Sequence, residues 1–189
     1  MVARQVYLSC LVAFMVVSSG CVNVTFPEPM PANKKELERF PESGRGTWKS
    51  IGDEFDEQDE EVLVIMEKRI RGNAGSDDLV LGENCVLKKM GRRLVLSLPQ
   101  TQSPRYTVLV ASRSGNELEI QSFEPKKVGA LDSWEAILGH DQVVKIHKNN
   151  DPTDKLKEVQ LNPKSTCQFK KLLRRGGSDH VVYTKVSSD

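Results

Sequence analysis

Apolar and polar residues alternate along many short segments of this chain. In the segment 117–121, Leu118 and Ile120 alternate with two glutamates and a glutamine. A period of two places the apolar side chains on one face of a β-strand and the polar ones on the other. Many such segments with polar turns between them indicate an antiparallel barrel or sandwich. We predict strands at 48–52, 61–71, 78–81, 84–89, 94–98, 105–113, 116–124, 143–148, 158–161 and 181–186.

The turn between two of these strands has a hairpin sequence. Residues 114–116 are Ser-Gly-Asn, and glycine and asparagine accept the positive φ angles that tight turns need. We therefore predict that 105–113 pairs with 116–124 in an antiparallel hairpin.

Three short helices are predicted between the strands. Each begins with a capping residue that is followed three positions later by Glu or Gln, a pairing that satisfies free N–H groups at a helix N-terminus. The capping residues are Asn33, Asp132 and Ser165. We expect these helices to pack on the sheet or to close one end of a barrel.

The motif Gly46-Thr47-Trp48 begins the first predicted strand of the barrel and resembles the Gly-x-Trp motif of the lipocalin superfamily. The order of elements is also similar, with a short helix at 33–40 before the motif and a last strand at 181–186. The resemblance implies a mainly β fold, a small antiparallel β-barrel (lipocalin-like) with a few short helices, which encloses a cavity.

If that cavity is open, it would bind a small apolar or amphipathic molecule. Trp48 would lie near its closed end. The candidate inward-facing positions on the alternating strands are Tyr106, Val108, Val110, Leu118 and Ile120. The same residues are equally candidates for an ordinary packed core.

The N-terminus has the features of an export signal. Arg4 precedes an apolar run, and the small residues 18–20 come directly before Cys21. Such a segment is too short to be read as a membrane-spanning helix. A cysteine at the cleavage point resembles the bacterial lipoprotein signal, which implies removal of residues 1–20 and lipid attachment to the sulfur of Cys21. The other interpretation is an ordinary signal peptide with a chance cysteine.

The lipoprotein resemblance also implies a location. The protein would be anchored in the cell envelope, with the membrane as its partner through the lipid. Val22 occupies the position where the best-known inner-membrane retention signal has aspartate. The resemblance therefore implies an outer-membrane protein that faces the periplasm.

Residues 21–35 are predicted to form a lipid-anchored tether, and residues 36–189 a single barrel domain. Pro27, Pro29 and Pro31 follow one another closely among small and polar residues. Proline at this density favours an extended, semi-rigid segment. The rest of the chain is long enough for one compact domain with its own core.

After removal of the signal and lipidation of Cys21, two cysteines remain, Cys85 and Cys167. An even number in an exported protein makes them a candidate disulfide, because that compartment permits oxidation. The lipocalin family frequently joins its barrel to the C-terminal region by a disulfide. The resemblance therefore implies that Cys85 and Cys167 are the counterpart of that bond. Two buried free thiols are the alternative.

No residue pattern indicates catalysis, a metal site or a cofactor. The three histidines lack the spacing of a helical zinc pair, and no serine lies on a turn between glycines. Asp179 and His180 are adjacent, but neighbouring side chains on a strand point apart, so we predict a solvated turn there and not a catalytic pair. With 27 basic and 26 acidic residues, the chain also lacks the basic excess that favours nucleic-acid binding.

Residues 53–61 form the most acidic segment of the chain. They lack the glycine and the spaced ligands of a calcium loop. We predict a solvated loop between the first two strands of the barrel.

Two functions are therefore compatible with the sequence. In the first, a non-enzymatic envelope lipoprotein binds a small apolar or amphipathic ligand in its barrel. In the second, side chains fill the barrel and its outer surface binds another envelope protein. An apolar void of several hundred Å³ would favour the first.

Overall fold

The structure is a computed structural model that describes residues 22–51, 61–73, 77–101, 103–176 and 178–186. The predicted signal at 1–20 and the lipidation site Cys21 lie outside these residues. The fold is mainly β, as predicted, and its larger sheet is a curled antiparallel half-barrel.

Nine strands form this larger sheet and three form a smaller one. The strands of the larger sheet are β2 (Gly46–Ser50), β3 (Val62–Ile65), β4 (Arg69–Arg71), β5 (Leu79–Val80), β6 (Val86–Met90), β7 (Arg93–Pro99), β8 (Tyr106–Ser114), β9 (Glu117–Phe123) and β12 (Ser178–Lys185). The smaller sheet comprises β1 (Asn23–Thr25), β10 (Val143–His147) and β11 (Leu156–Leu161), and the helices are α1 (Ala130–Leu138) and α2 (Thr166–Arg175).

In the larger sheet, β2 to β5 form one meander and β6 to β9 form another, and β12 lies between β2 and β9. From one edge to the other the strand order runs β5-β4-β3-β2-β12-β9-β8-β7-β6. The last strand, β12, pairs with both β2 and β9, so it joins the first and the last strand of the series β2 to β9. Between β9 and β12 the chain leaves the sheet and forms α1, β10, β11 and α2.

The two edge strands, β5 and β6, are linked by a short turn. A single bridge connects Leu81 with Cys85 at this turn. Beside it, the N–H of Leu37 donates to the carbonyl of Leu87 at 2.8 Å, and the N–H of Phe40 donates to that of Glu67 at 2.7 Å. The segment 36–40 therefore lies across the opening between β6 and the β3–β4 turn.

This use of backbone hydrogen bonds explains why the helix predicted at 33–40 is wrong. The N–H of Leu37 is bonded to an edge strand, and Asn33 has a φ angle of +61°. The structure has only a 3-10 turn in this region, at Glu42–Gly44. The local capping signal was outweighed by pairing with a strand that is distant in sequence.

The other two predicted helices are confirmed. The Oγ of Ser165 accepts from the N–H of Gln168 at 3.2 Å, and the side chain of Gln168 accepts from the N–H of Lys164 at 2.7 Å. The first bond is the N-cap that the sequence predicts for α2. In the second, Gln168 bonds the N–H of the residue before the cap in place of that of Ser165. Helix α1 begins earlier than predicted, after Gly129, which places Asp132 in its first turn.

The predicted hairpin is also confirmed. Ser114 is opposite Glu117 in the register of β8 and β9. Gly115, between them, has a φ angle of +59°, which glycine adopts at no steric cost.

The two faces of the curled sheet pack against different parts of the protein. The concave face has a cluster of buried residues that includes Trp48, Leu63, Leu87 and Leu118. The convex face is covered by α1, α2 and the smaller sheet. Its cluster includes Val95, Val108, Val110, Trp134, Phe169 and Leu172.

The N-terminal segment is part of this second cluster, which corrects the predicted tether at 21–35. Strand β1 pairs in parallel with β11, and Phe26 and Met30 are almost completely buried. The N–H of Met30 also donates to the Oγ of Ser97 on β7 at 3.1 Å. The described residues before residue 36 are therefore packed as part of the folded domain and do not form a free tether.

The predicted disulfide is not formed in the structure, where Cys85 and Cys167 are both free thiols. Cys85 is buried in the concave cluster, and Cys167 is exposed on α2. Since α2 packs on the convex face, the two cysteines belong to different sides of the sheet. Burial raises the pKa of the Cys85 thiol to about 11, so the reactive thiolate is disfavoured.

Candidate functional site

The concave face of the larger sheet encloses an apolar cavity of about 480 Å³. Leucine, isoleucine and valine side chains from eight strands of the sheet form most of its wall. The apolar lining residues of the sheet are Leu63, Ile65, Ile70, Leu79, Leu87, Leu94, Leu96, Val108, Leu109, Ala111, Leu118, Ile120, Phe123 and Val181. Phe40, and Val22 and Val24 of the N-terminal segment, line it from outside this sheet.

Strand register decides which side chains face this cavity. Ala111 is opposite Ile120, and Ile120 is opposite Val181. Because paired residues share a face, these three form one row across β8, β9 and β12. All three are only partly buried. They border the cavity, so their side chains are less covered than those of a closely packed core.

Of the predicted ligand-lining residues, Leu118 and Ile120 line the cavity from the concave face. Val108 also touches the cavity, although it belongs to the convex cluster. The other three, Trp48, Tyr106 and Val110, are not among its lining residues. The register explains the result for Val110, since it faces the convex cluster with α1 and α2. The inward positions of β8 that the sequence prediction missed are Leu109 and Ala111.

The sequence of β8 contains a feature that could have prevented this error. Residues 108–111 are Val-Leu-Val-Ala, a continuous apolar run without alternation. Such a run is typical of a strand that is buried on both faces. The helices on the convex face and the cavity on the concave face make both sides of β8 apolar.

Trp48 is completely buried in the concave cluster and pairs with Lys185 at the C-terminal end of β12. Its indole N–H donates to the carbonyl of Gly44 at 3.1 Å. The side chains of Arg113 and Lys185 lie over its ring, 5.9 and 5.7 Å from the ring centroid. Cations at this distance are attracted to the face of an aromatic ring, so both side chains stabilise the packing around the indole.

Polar groups occur at two levels of the cavity wall. Asp179 on β12 is opposite Ser122 on β9, and Glu124 follows that strand. Asp179 is exposed and the other two are partly exposed, so this end is the mouth. Tyr183 is four residues further along β12, about 13 Å deeper at the usual rise per residue of a strand.

The deeper level is a tyrosine and carboxylate pair. The hydroxyl of Tyr183 donates to Glu61 at 2.7 Å. Burial, followed by the hydrogen bond to Glu61, raises the pKa of Tyr183, so its hydroxyl stays protonated. Glu61, which was assigned to a solvated acidic loop, instead lines the cavity; the rest of that loop, 53–60, lies outside the described residues.

Asp179 and His180 point to opposite faces, as their adjacency on a strand predicts. The side chain of His180 is on the convex face, where Nδ1 contacts Glu119 at 2.6 Å and Nε2 contacts the Oγ of Ser178 at 3.0 Å. Hydrogen bonds from Ser112 and then His180 hold the pKa of Glu119 below its ordinary value. The order Glu-His-Ser is that of a serine hydrolase triad, but here Ser178 is buried in the ladder with β9, outside the cavity. We interpret these contacts as a link between β9 and β12.

The chain matches no family model, no curated protein and no solved structure. In the part of the chain that the structure describes, neither helix is long and apolar enough to cross a bilayer. The fold and the site thus define a class only, a curled antiparallel β-sheet protein with an apolar cavity on its concave face.

Proposed function

We propose that this protein is a non-enzymatic, lipid-anchored protein of the cell envelope that binds a small apolar or amphipathic molecule in its cavity. The cavity of about 480 Å³ supports the proposal most strongly. Its volume is within the range of ordinary small-molecule sites, about 300–1,000 Å³. This volume argues against a barrel that is filled by side chains. A filled barrel would have favoured the alternative function, the binding of another envelope protein.

The chemistry of the wall supports the same ligand class. Aliphatic side chains surround the middle of the cavity, and the polar side chains are few. An apolar wall stabilises a ligand by removing its apolar surface from water. A few polar groups can then fix the orientation of the ligand.

Binding of a neutral apolar dye tests this function. We expect N-phenyl-1-naphthylamine to bind with 1:1 saturation and to raise the unfolding temperature, because a ligand that binds only the folded state stabilises it. Replacing Ala111 by phenylalanine puts a ring into the cavity, and we expect affinity to fall by about tenfold or more as van der Waals overlap excludes the dye. Titration by fluorescence measures both effects.

Val128→Phe is the matched control, because Val128 is fully exposed and receives the same side chain. The smaller change Ala111→Leu replaces Ala111→Phe if the phenylalanine variant does not fold. If the folded wild-type protein binds neither this dye nor other neutral apolar compounds, the ligand function is wrong and the protein-binding function takes its place.

The anchor is inferred from Cys21 after the small residues 18–20. Val22 directly precedes β1 and packs against the convex cluster. A lipid on Cys21 would therefore hold the domain directly at the membrane surface, with no intervening tether. The residue after the cysteine supports delivery to an outer membrane.

Replacement of Cys21 by serine tests the anchor. We expect the protein to leave the detergent-extracted membrane fraction and to appear in the soluble envelope fraction or as uncleaved precursor. Cys167→Ser is the matched control, because that thiol is exposed on α2 and should not affect fractionation. Unchanged membrane association of the Cys21→Ser protein would contradict the lipid anchor.

A further inference from the structure

The charged residues that line the cavity all have the same sign. They are Glu61, Glu124 and Asp179. Among the described residues, no lysine, arginine or histidine lines the cavity. This is not a consequence of overall composition, because basic and acidic residues are nearly equal in number, 27 and 26.

Two of these carboxylates lie together at the mouth. Asp179 is opposite Ser122, and Glu124 is two residues beyond Ser122 along the chain. Both are at the exposed end of the cavity, whereas the wall below them is aliphatic. A ligand whose apolar part fills the cavity would therefore place its polar group beside Asp179 and Glu124.

The carboxylates at the mouth are available to a ligand. Within the described residues, neither forms an ion pair. Asp179 accepts from the N–H of His180 at 3.0 Å, and Glu124 accepts from the N–H of Lys126 at 2.8 Å. Lys127 is close in sequence, but its ammonium donates to the carbonyl of Ser178 at 2.8 Å, and it does not line the cavity.

We propose that the ligand is an amphiphile with a positively charged head group, such as a long-chain amine, whose head group contacts Asp179 and Glu124. The proposal rests on the ligand-binding function and specifies its ligand class. A cation at the mouth is attracted by two carboxylates, and an apolar wall below them weakens the screening by water. A carboxylate, sulfate or phosphate head group would meet like charge at the same place. Deeper in the cavity, Glu61 and Tyr183 supply polar atoms for a second group.

The test compares three ligands with the same chain. Dodecylamine, dodecanol and dodecanoic acid, each below its micelle concentration at pH 7, compete with bound N-phenyl-1-naphthylamine. We expect the amine to displace the dye at a concentration about tenfold below that of the acid, since each exposed ion pair changes affinity by only a few-fold. The alcohol should lie between them, and added salt should reduce the difference.

The double variant Asp179→Asn with Glu124→Gln removes both charges and preserves side-chain size. We expect amine and acid to compete within about twofold of each other in this variant, while the affinity of the alcohol is unchanged. The matched control is Asp77→Asn with Glu83→Gln, which removes two exposed carboxylates outside the cavity lining. That control should keep the wild-type preference for the amine.

The outcomes separate this proposal from the function on which it rests. If the dye binds but the acid competes as well as the amine, the head-group proposal is wrong and the cavity function stands. The same conclusion follows if none of the three displaces a saturably bound dye, or if the preference persists in the double variant. If the dye itself does not bind, the cavity function fails.

Discussion

Replacing Trp48 by alanine is expected to lower the free energy of unfolding by about 3–5 kcal/mol, the usual cost of truncating a buried aromatic residue. The ring is fully buried in the cluster on the concave face. The variant also loses the hydrogen bond to Gly44 and the contacts of Arg113 and Lys185 with the ring. Urea denaturation followed by circular dichroism measures the change.

Trp48→Phe separates the contribution of ring burial from that of the indole N–H. It keeps an aromatic ring but removes the donor to Gly44, so we expect a smaller loss than for alanine. Val128→Ala is the surface control and should change stability by less than about 0.5 kcal/mol. A Trp48→Ala protein as stable as this control would contradict the contribution of the buried indole to stability.

Replacing Phe26 by alanine is expected to cost a similar amount, about 3–5 kcal/mol. Phe26 is completely buried, and its ring centroid is 5.1 Å from that of Phe123 and 5.7 Å from that of Phe169. These contacts join the N-terminal segment, the sheet and α2. The measurement is the same urea denaturation.

The Phe26 variant also distinguishes a packed N-terminal segment from a free tether. A tether predicts no loss of stability, since none of its side chains would be buried. Glu28→Ala is the matched control, because Glu28 is exposed two residues further along the same segment. Equal stability of the two variants would contradict the packed segment and support the interpretation of a free tether.

Local sequence rules succeeded where one segment determines its own structure. The hairpin at Gly115 depends on a positive φ angle between two adjacent strands. The cap at Ser165 depends on a residue three positions away. In both cases the interacting groups are close along the chain, so no distant partner was needed for the prediction.

The rules failed where a distant partner was decisive. The capping signal at Asn33 is a local preference, but the adjoining segment pairs with the edge of β6. The prolines at 27, 29 and 31 favour an extended chain, but nothing local shows that Phe26 and Met30 pack between the convex face and α2. Propensity is a weak prior in such places, because tertiary contacts override it.

The candidate site shows the same division. Alternation correctly placed Leu118 and Ile120 on one face, but it could not show that this face is concave. For β8 both faces are apolar, so only pairing with β9 decides that Leu109 and Ala111 face the cavity. Glu61 and Asp179 were assigned to solvated segments, since a carboxylate at a cavity mouth has the same local pattern as one on the surface.

The sequence by itself determined most of the strands, the hairpin, the helix at Ser165 and the mainly β class, because these depend on side-chain periodicity and on contacts between near neighbours. It missed β1 and the turn that divides the predicted strand 61–71 into β3 and β4. Only the tertiary structure decided which face of the sheet encloses a cavity, which residues line it, and that its mouth is acidic. Those properties depend on strand register and on the elements that cover the convex face. A one-residue change in register would exchange the two faces of a strand, and neither composition nor alternation specifies that register.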